Sequence, residues 1–456
     1  MRNKFAHRPF VLFAAGLAFG LAFNFPILSL PFLGIGFALG VIGERNFLWA
    51  SAGLILGAFL RPSPMTVVEY RAQYSGLATV LNVPELRDRE QTFRLRIEGS
   101  ETVVLAKAAP ERLIALGDVY RIDGQLLPLS SNMLERADDI GLSGRFMGEI
   151  GDLQSRSALA TLATRTQRSF IAFARKTLPK SSAGLLPALA VNGYGDLDPE
   201  LQKNLRRTSL VHLISASGFH VVLLLGFLQF LLSRLAIPRP IVLVALAIVG
   251  AFYCLICGLS PTILRALFAS LLAGSAYLFR RHFDVLNGLG LAISGLLILE
   301  PRWVYGIGIW IMVAMVVTLE LFAGIDEGET LQQKVMMVAR SSFWAWVGSS
   351  PIIAYAFGTV SLISVVANVL LAWIIGPILA LALVAWGLNA VVPTVAEGIM
   401  QWVIAPALRV FEVGVNGLGG LPMASVEVPP FSPWWLVGFY LLLFIGFNPA
   451  RRRTMA

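Results

Sequence analysis

The feature that most restricts this chain is a succession of apolar runs with the length of a bilayer crossing. Between about residues 209 and 447 they fall at 209–233, 240–258, 262–279, 284–299, 303–323, 337–357, 361–391 and 433–447. Three shorter ones, 9–24, 26–43 and 47–60, open the chain. About 20 apolar residues suffice for a transmembrane helix, and no water is present there to satisfy irregular backbone. With 56% hydrophobic and only 14% charged residues, the chain cannot cover a water-facing surface of ordinary polarity. The fold class expected is therefore a polytopic α-helical membrane protein. It has about eleven or twelve crossings, depending on whether 361–391 crosses twice or a helix near 394–415 enters the membrane.

The net charge of +9 is first a topology signal and only second a hint of anionic partners. Arg2, Lys4 and Arg8 precede the first run, which puts the N-terminus in the cytoplasm and, after three crossings, residues 63–150 outside. Arg234 and Arg239, then Arg280, Arg281 and His282, then Lys334 and Arg340, then Arg451, Arg452 and Arg453 all fall on the cytoplasmic side in this scheme. The Pro-rich stretch 422–433 reads as an external linker.

Residues 63–150 have a different texture. Leu77–Leu81, Thr92–Ile97, Thr102–Ala106 and Val119–Asp123 alternate with a period of two, and Gly117-Asp118 and Asp123-Gly124 supply turns. About five short strands in one small segment predict a β-barrel of the OB type. The next segment, 151–208, links it to the large helical domain at 209–450. From 153 to 195 it has no acidic residue but carries Arg156, Arg165, Arg168, Arg175, Lys176 and Lys180 around an apolar stripe of Phe170, Ile171, Phe173, Ala174 and Leu178. This is the pattern of an interfacial helix on anionic lipid. It also suits an electropositive entrance for nucleic acid, built from Arg165, Arg168, Arg175 and Lys176.

Polar groups inside the apolar runs are the candidate functional residues. The densest cluster is His212, Ser215, Ser217, Gly218 and His220. Unsatisfied polar groups are costly at membrane depth, and Gly218 permits a helix break that turns donors toward a cavity. The bland reading is that the serines bond their own helix or a neighbour. Arg265 follows a helix start at Ser260-Pro261, and its planar fork suits a phosphate. Its bland reading is snorkelling, or a pair with Glu300 or Glu320. Asn192, Asp196 and Asp198 form a weaker set, as do Ser349, Ser350, Pro351 and Asn368, with Asn368 facing a polar lumen in the functional reading. Cys254 and Cys257 form a C-x-x-C without redox context. No P-loop, nucleophile elbow or metal signature is present, so no enzyme activity, metal or cofactor is expected.

The run His212-Leu-Ile-Ser-Ala-Ser-Gly-Phe-His220 resembles the H-L-x-x-x-S-G-x-H signature of the ComEC family of competence DNA channels. Ser260-Pro-Thr-Ile-Leu-Arg265-Ala is similar to that family's arginine motif, and the order of segments agrees over nearly the whole chain. The resemblance implies transport of single-stranded DNA across a bacterial inner membrane in natural transformation, with His212, Ser217, Gly218, His220 and Arg265 carried over as path residues. It also implies a DNA receptor and a cytoplasmic motor as partners beside DNA and lipid, and leaves homo-oligomer formation open. Phe219 stands where members commonly have Leu. Many members continue into a metallo-β-lactamase-like domain; this sequence ends at Ala456 without one, so the resemblance does not extend to nuclease activity. A secondary transporter of small anions and a non-transporting scaffold are the alternatives.

Overall fold

The computed structural model describes residues 68, 70–86, 90–100, 102–128, 143–193, 197–214, 218–235, 237–259, 261–280, 284–299, 301–324 and 330–446. The three N-terminal apolar stretches, Ser215, Ser217, Asp196, Glu300 and the Arg451–Arg453 cluster lie outside them.

Six strands come first: β1 (Ala72–Val80), β2 (Glu85–Leu86), β3 (Gln91–Ile97), β4 (Val103–Ala108), β5 (Val119–Leu127) and β6 (Gly144–Ser155). In β3 the alternation is strict, with Gln91, Phe93, Leu95 and Ile97 buried and Thr92, Arg94 and Arg96 turned outward. That pattern leaves one face only for the core. The ladder runs β1-β5-β6-β4-β3, and β1 pairs with β3 to close a five-stranded barrel, with β2 added along β3. β1, β3 and β4 are consecutive antiparallel neighbours and β5 returns beside β1, a Greek-key path. The β4–β6 pair is parallel. Closure removes the open edges. Ala78, Phe93, Leu95, Val104, Ile114, Tyr120 and Ile122 fill the inside, each apolar side chain contributing about 1.5–3 kcal/mol on burial. Gly124 and Gly148 face each other across β5 and β6; a Cβ on Gly124 would lie 2.5 Å from Gly148 Cα, so the backbones approach as only glycine allows.

β6 was not expected from the sequence. Only Gly144, Phe146 and Ile150 of its twelve residues are buried, so it shows no sustained alternation. Two residues later α1 (Ala158–Thr177) begins, capped by Ser157, whose hydroxyl accepts from Ala160 N. Arg175 and Lys176 sit in its last turn, where the helix dipole favours cations. Then come α2 (Lys180–Val191), α3 (Pro199–Arg207), α4 (Val211–Ile214), α5 (Gly218–Ser233), α6 (Arg239–Cys257), α7 (Pro261–Leu278) and α8 (Val285–Leu299). α9 (Ile307–Thr318) runs on into a π-helical turn, Leu319–Ala323. After α10 (Leu331–Phe357) and β7 (Thr359–Ser361) come α11 (Ser364–Leu388), α12 (Pro393–Gly419), β8 (Ser425–Glu427) and α13 (Trp434–Gly446). π-helical turns interrupt α11 at Asn368–Ala372 and α12 at Met400–Ile404.

Among the described residues, α6, α11 and α12 are long and apolar enough to cross a membrane; five shorter apolar helices accompany them. The run at 361–391 is one helix, and α12 is the helix expected near 394–415. The stretch at 422–433 is not a plain linker, because β8 pairs with β7.

The apolar stripe of α1 meets protein rather than lipid, contrary to the interfacial-helix expectation. Phe170 and Ala174 are fully buried in a core shared with α2, α3, α11 and α12. Phe170 packs edge-on against Trp386 of α11, ring centroids 5.9 Å apart. A second core joins α5, α6 and α7. α6 shows the division plainly: Val242, Leu246, Tyr253, Cys254 and Cys257 face inward, while Ile241, Val244 and Ile248 are exposed.

Candidate polar site among the apolar helices

His220 lies in the first turn of α5 and is buried, 3% exposed. It borders a small void whose other walls are Ala190, Leu223, Tyr253, Leu379 and Leu383, so α2, α5, α6 and α11 all meet there. The Tyr253 hydroxyl donates to Ala190 O at 2.6 Å and so satisfies a carbonyl that the end of α2 leaves free. Gln167 of α1 does the same for Val191 O at 2.7 Å. The end of α2 is thus capped by side chains of two other helices. Tyr253→Phe should lower the thermal stability of the detergent-solubilised chain by about 1 kcal/mol, since a buried acceptor would lose its donor.

Arg265 sits in the second turn of α7, half-buried. α7 packs against α5 and α6, so Arg265 and His220 stand on adjacent helices. No hydrogen bond or ion pair ties Arg265 to another described residue, and Glu320 is not its partner. His212, in α4, is exposed; its Nδ1 donates to Ser209 O at 2.7 Å, which leaves Nε2 as an acceptor. Gly218 begins α5, separated from α4 by the three residues 215–217. Asn368 opens the π-helical turn of α11 and is half-buried; that turn packs against α10 and α12.

The basic residues of α1 serve different ends. Arg168 reaches back into the barrel, donating to Gln91 Oε1 at 2.8 Å, Arg112 O at 2.8 Å and Pro110 O at 3.2 Å. Its pKa is lowered by burial, against the attraction of Tyr120. Lys176 pairs with Glu397 of α12 at 2.8 Å. Arg165 and Arg175 are exposed. Arg156 donates to Asp118 Oδ2 at 3.2 Å and to Leu113 O at 2.9 Å. Arg112 lies over the Tyr120 ring, 4.9 Å from its centroid, and donates to Ile150 O and Gly151 O. Burial and nearby Asp118 push the Tyr120 hydroxyl above its usual range. Arg168 and Arg156 therefore tie α1 and its lead-in to the barrel, while Arg112 braces the barrel itself. Tyr253 carries a fainter mark in the sequence than the histidines: a hydroxyl within the apolar run Ala251–Cys257, which must find an acceptor once buried.

A family model described as Competence protein matches residues 189–453. Over 207 residues, 45% of this chain and 26% of the relative, the sequence is 29% identical to ComE operon protein 3 of Bacillus subtilis (strain 168). Over 208 residues, 43% of this chain and 29% of the relative, it is 28% identical to Competence protein ComA of Neisseria gonorrhoeae. The matched segment thus spans less than a third of either relative. No solved structure matches the chain.

Proposed function

This chain belongs to the competence protein family, and from that premise we propose that it translocates single-stranded DNA across the bacterial inner membrane during natural transformation. In this reading it is a multi-pass channel, not an enzyme, and its barrel lies outside the cytoplasm.

The observation that carries the reading is Arg265. A guanidinium half-buried among apolar helices is costly unless an anion meets it, and no described acid does. A strand moving past supplies a phosphate at every step, and the planar fork suits phosphate oxygens. His220 stands on the adjacent helix, and His212 Nε2, an acceptor, suits a base N–H rather than a phosphate.

The barrel is read as an OB fold, from its five strands and Greek-key path. Arg96 on the outward face of β3, half-buried, is a cation of the kind that tracks a nucleic-acid backbone, while Arg94 beside it is more deeply covered. Arg165 and Arg175 extend that surface along α1, whereas Arg168 is committed to holding the barrel. The outward apolar faces, such as Ile241, Val244 and Ile248 of α6, suit lipid. With no nucleotide-binding motif in the sequence, a separate cytoplasmic motor draws the strand, and a DNA receptor delivers it.

Import of labelled DNA into the native host tests this. Deleting the gene should leave DNA outside the inner membrane, and the wild-type gene should restore entry. Unchanged import after deletion overturns the proposal. Saturable flux of small anions in proteoliposomes would then favour a secondary transporter, which Arg265 could also serve.

A further inference from the structure

The turn that ends α6 and leads toward α7 is backbone-constrained. Gly258 (φ 95°) and Leu259 (φ 54°) both occupy the left-handed region, and Leu259 N donates to Cys254 O at 2.9 Å. Leucine rarely adopts this conformation, so the surroundings must hold it there. Two neighbours touch the turn from opposite parts of the chain. Asn192 Nδ2, just past the end of α2, donates to Cys257 O at 3.0 Å. Asn192 is itself left-handed, φ 60°, a conformation asparagine tolerates.

The second neighbour is Val83, from the barrel loop between β1 and β2. A Cβ on Gly258 would lie 3.6 Å from Val83 Cβ and 3.7 Å from Val83 N, so this loop lies over the glycine with room for about one methyl group between them. Val83 is buried and its loop is tied to β3 through Asn82. Asn82 Oδ1 accepts from Arg94 N at 2.7 Å, and its Nδ2 donates to Val83 O at 3.1 Å. Hydrogen bonds run from β3, whose outer face carries Arg94 and Arg96, through Asn82 to Val83, and Val83 lies over the turn before the helix that carries Arg265.

We propose that Val83 and Asn192 are positioning residues for Arg265, and that the Asn82–Val83 loop transmits occupation of the barrel's β3 face to that arginine. The proposal rests on the single-strand reading above. It makes the barrel more than a collector of DNA: a strand seated on β3 alters the loop, and the loop alters the angle at which α7 leaves α6.

The test uses the full-length chain in detergent, with a fluorescent dT oligonucleotide of about 16 nucleotides, the upper site size of one such barrel. Binding is read by anisotropy and the 255–266 segment by hydrogen exchange. The oligonucleotide should slow exchange of that segment in the wild type. Val83→Ala should keep oligonucleotide binding, lose the slowing, and lower DNA import roughly tenfold, in the range expected of coupling residues. Val83→Ile, which keeps the contact, should restore both. Asn192→Gly keeps the left-handed backbone and removes the side-chain bond, so it should speed exchange of the segment with or without oligonucleotide. Slowing that persists in Val83→Ala overturns the coupling, as does failure of Val83→Ile to restore it. Exchange unchanged by Asn192→Gly removes Asn192 from the proposal. Binding without slowing in the wild type overturns the coupling alone; absence of binding in the wild type overturns the single-strand reading and the coupling with it.

Discussion

Arg265→Ala should reduce DNA import by about 10²-fold or more while the protein still inserts and folds. Truncating a desolvated charge that meets an opposite charge costs about 2–5 kcal/mol, and each 1.36 kcal/mol is a factor of ten in rate. The fold should survive because Arg265 has no described ionic partner, so its removal orphans no acid. Arg265→Lys keeps the charge but not the fork and should fall between. Labelled-DNA import and the amount of protein in the membrane fraction, measured together, decide the matter. Import at the wild-type rate with equal protein would remove Arg265 from the path.

The second large effect is on stability. Asp118 is fully buried and its Oδ2 accepts from Ala115 N at 3.0 Å, Tyr120 Oη at 3.1 Å and Arg156 at 3.2 Å. Arg156 is the cation of that set and lies in the two-residue join between β6 and α1. Arg156→Ala leaves a buried carboxylate facing only neutral donors; because Arg156 is itself partly exposed to solvent, the cost is about 1–3 kcal/mol. The damage should appear as faster hydrogen exchange across β1 and β5 in the full-length chain. Adding Asp118→Asn should recover most of it, because a neutral amide needs no counter-charge. A double variant as unstable as Arg156→Ala alone would mean that Arg156 acts through packing instead.

Much of the barrel was legible because its strands have one wet face. The alternation at Thr92–Ile97 locates β3, and that at Val119–Asp123 starts β5. β6 was illegible because most of its length is exposed, so burial imposes no period on it. The helices were legible from hydropathy, but which face is covered was not. Phe170 and Ile171 look alike whether they meet lipid or Trp386, and only the tertiary fold distinguishes the two. Arg168 illustrates the limit for polar residues. Its acceptors are carbonyls at Pro110 and Arg112 and the side chain of Gln91, groups that carry no mark in the sequence. His212, His220 and Arg265 stood out because polarity inside an apolar run is rare. Asn192 stood out less, since its partner is a backbone carbonyl at Cys257.

The short ladder of β7 and β8 constrains how crossings may be counted. Thr359, Val360 and Ser361 pair with Glu427, Val426 and Ser425, and Leu362 N donates to Ala424 O at 3.0 Å. The chain that leaves β7 and returns to β8 contains α11 and α12, so its excursion has even parity: if α11 traverses the bilayer, α12 must retrace it. α10 arrives at the ladder and α13 departs from it, held side by side where Tyr440 Oη donates to Gly348 O at 2.6 Å. From that bond α13 continues for six more residues, to Gly446. Three residue pairs thus act as a checksum on the segment between them: α11 and α12 cannot differ by one in any crossing without breaking the ladder.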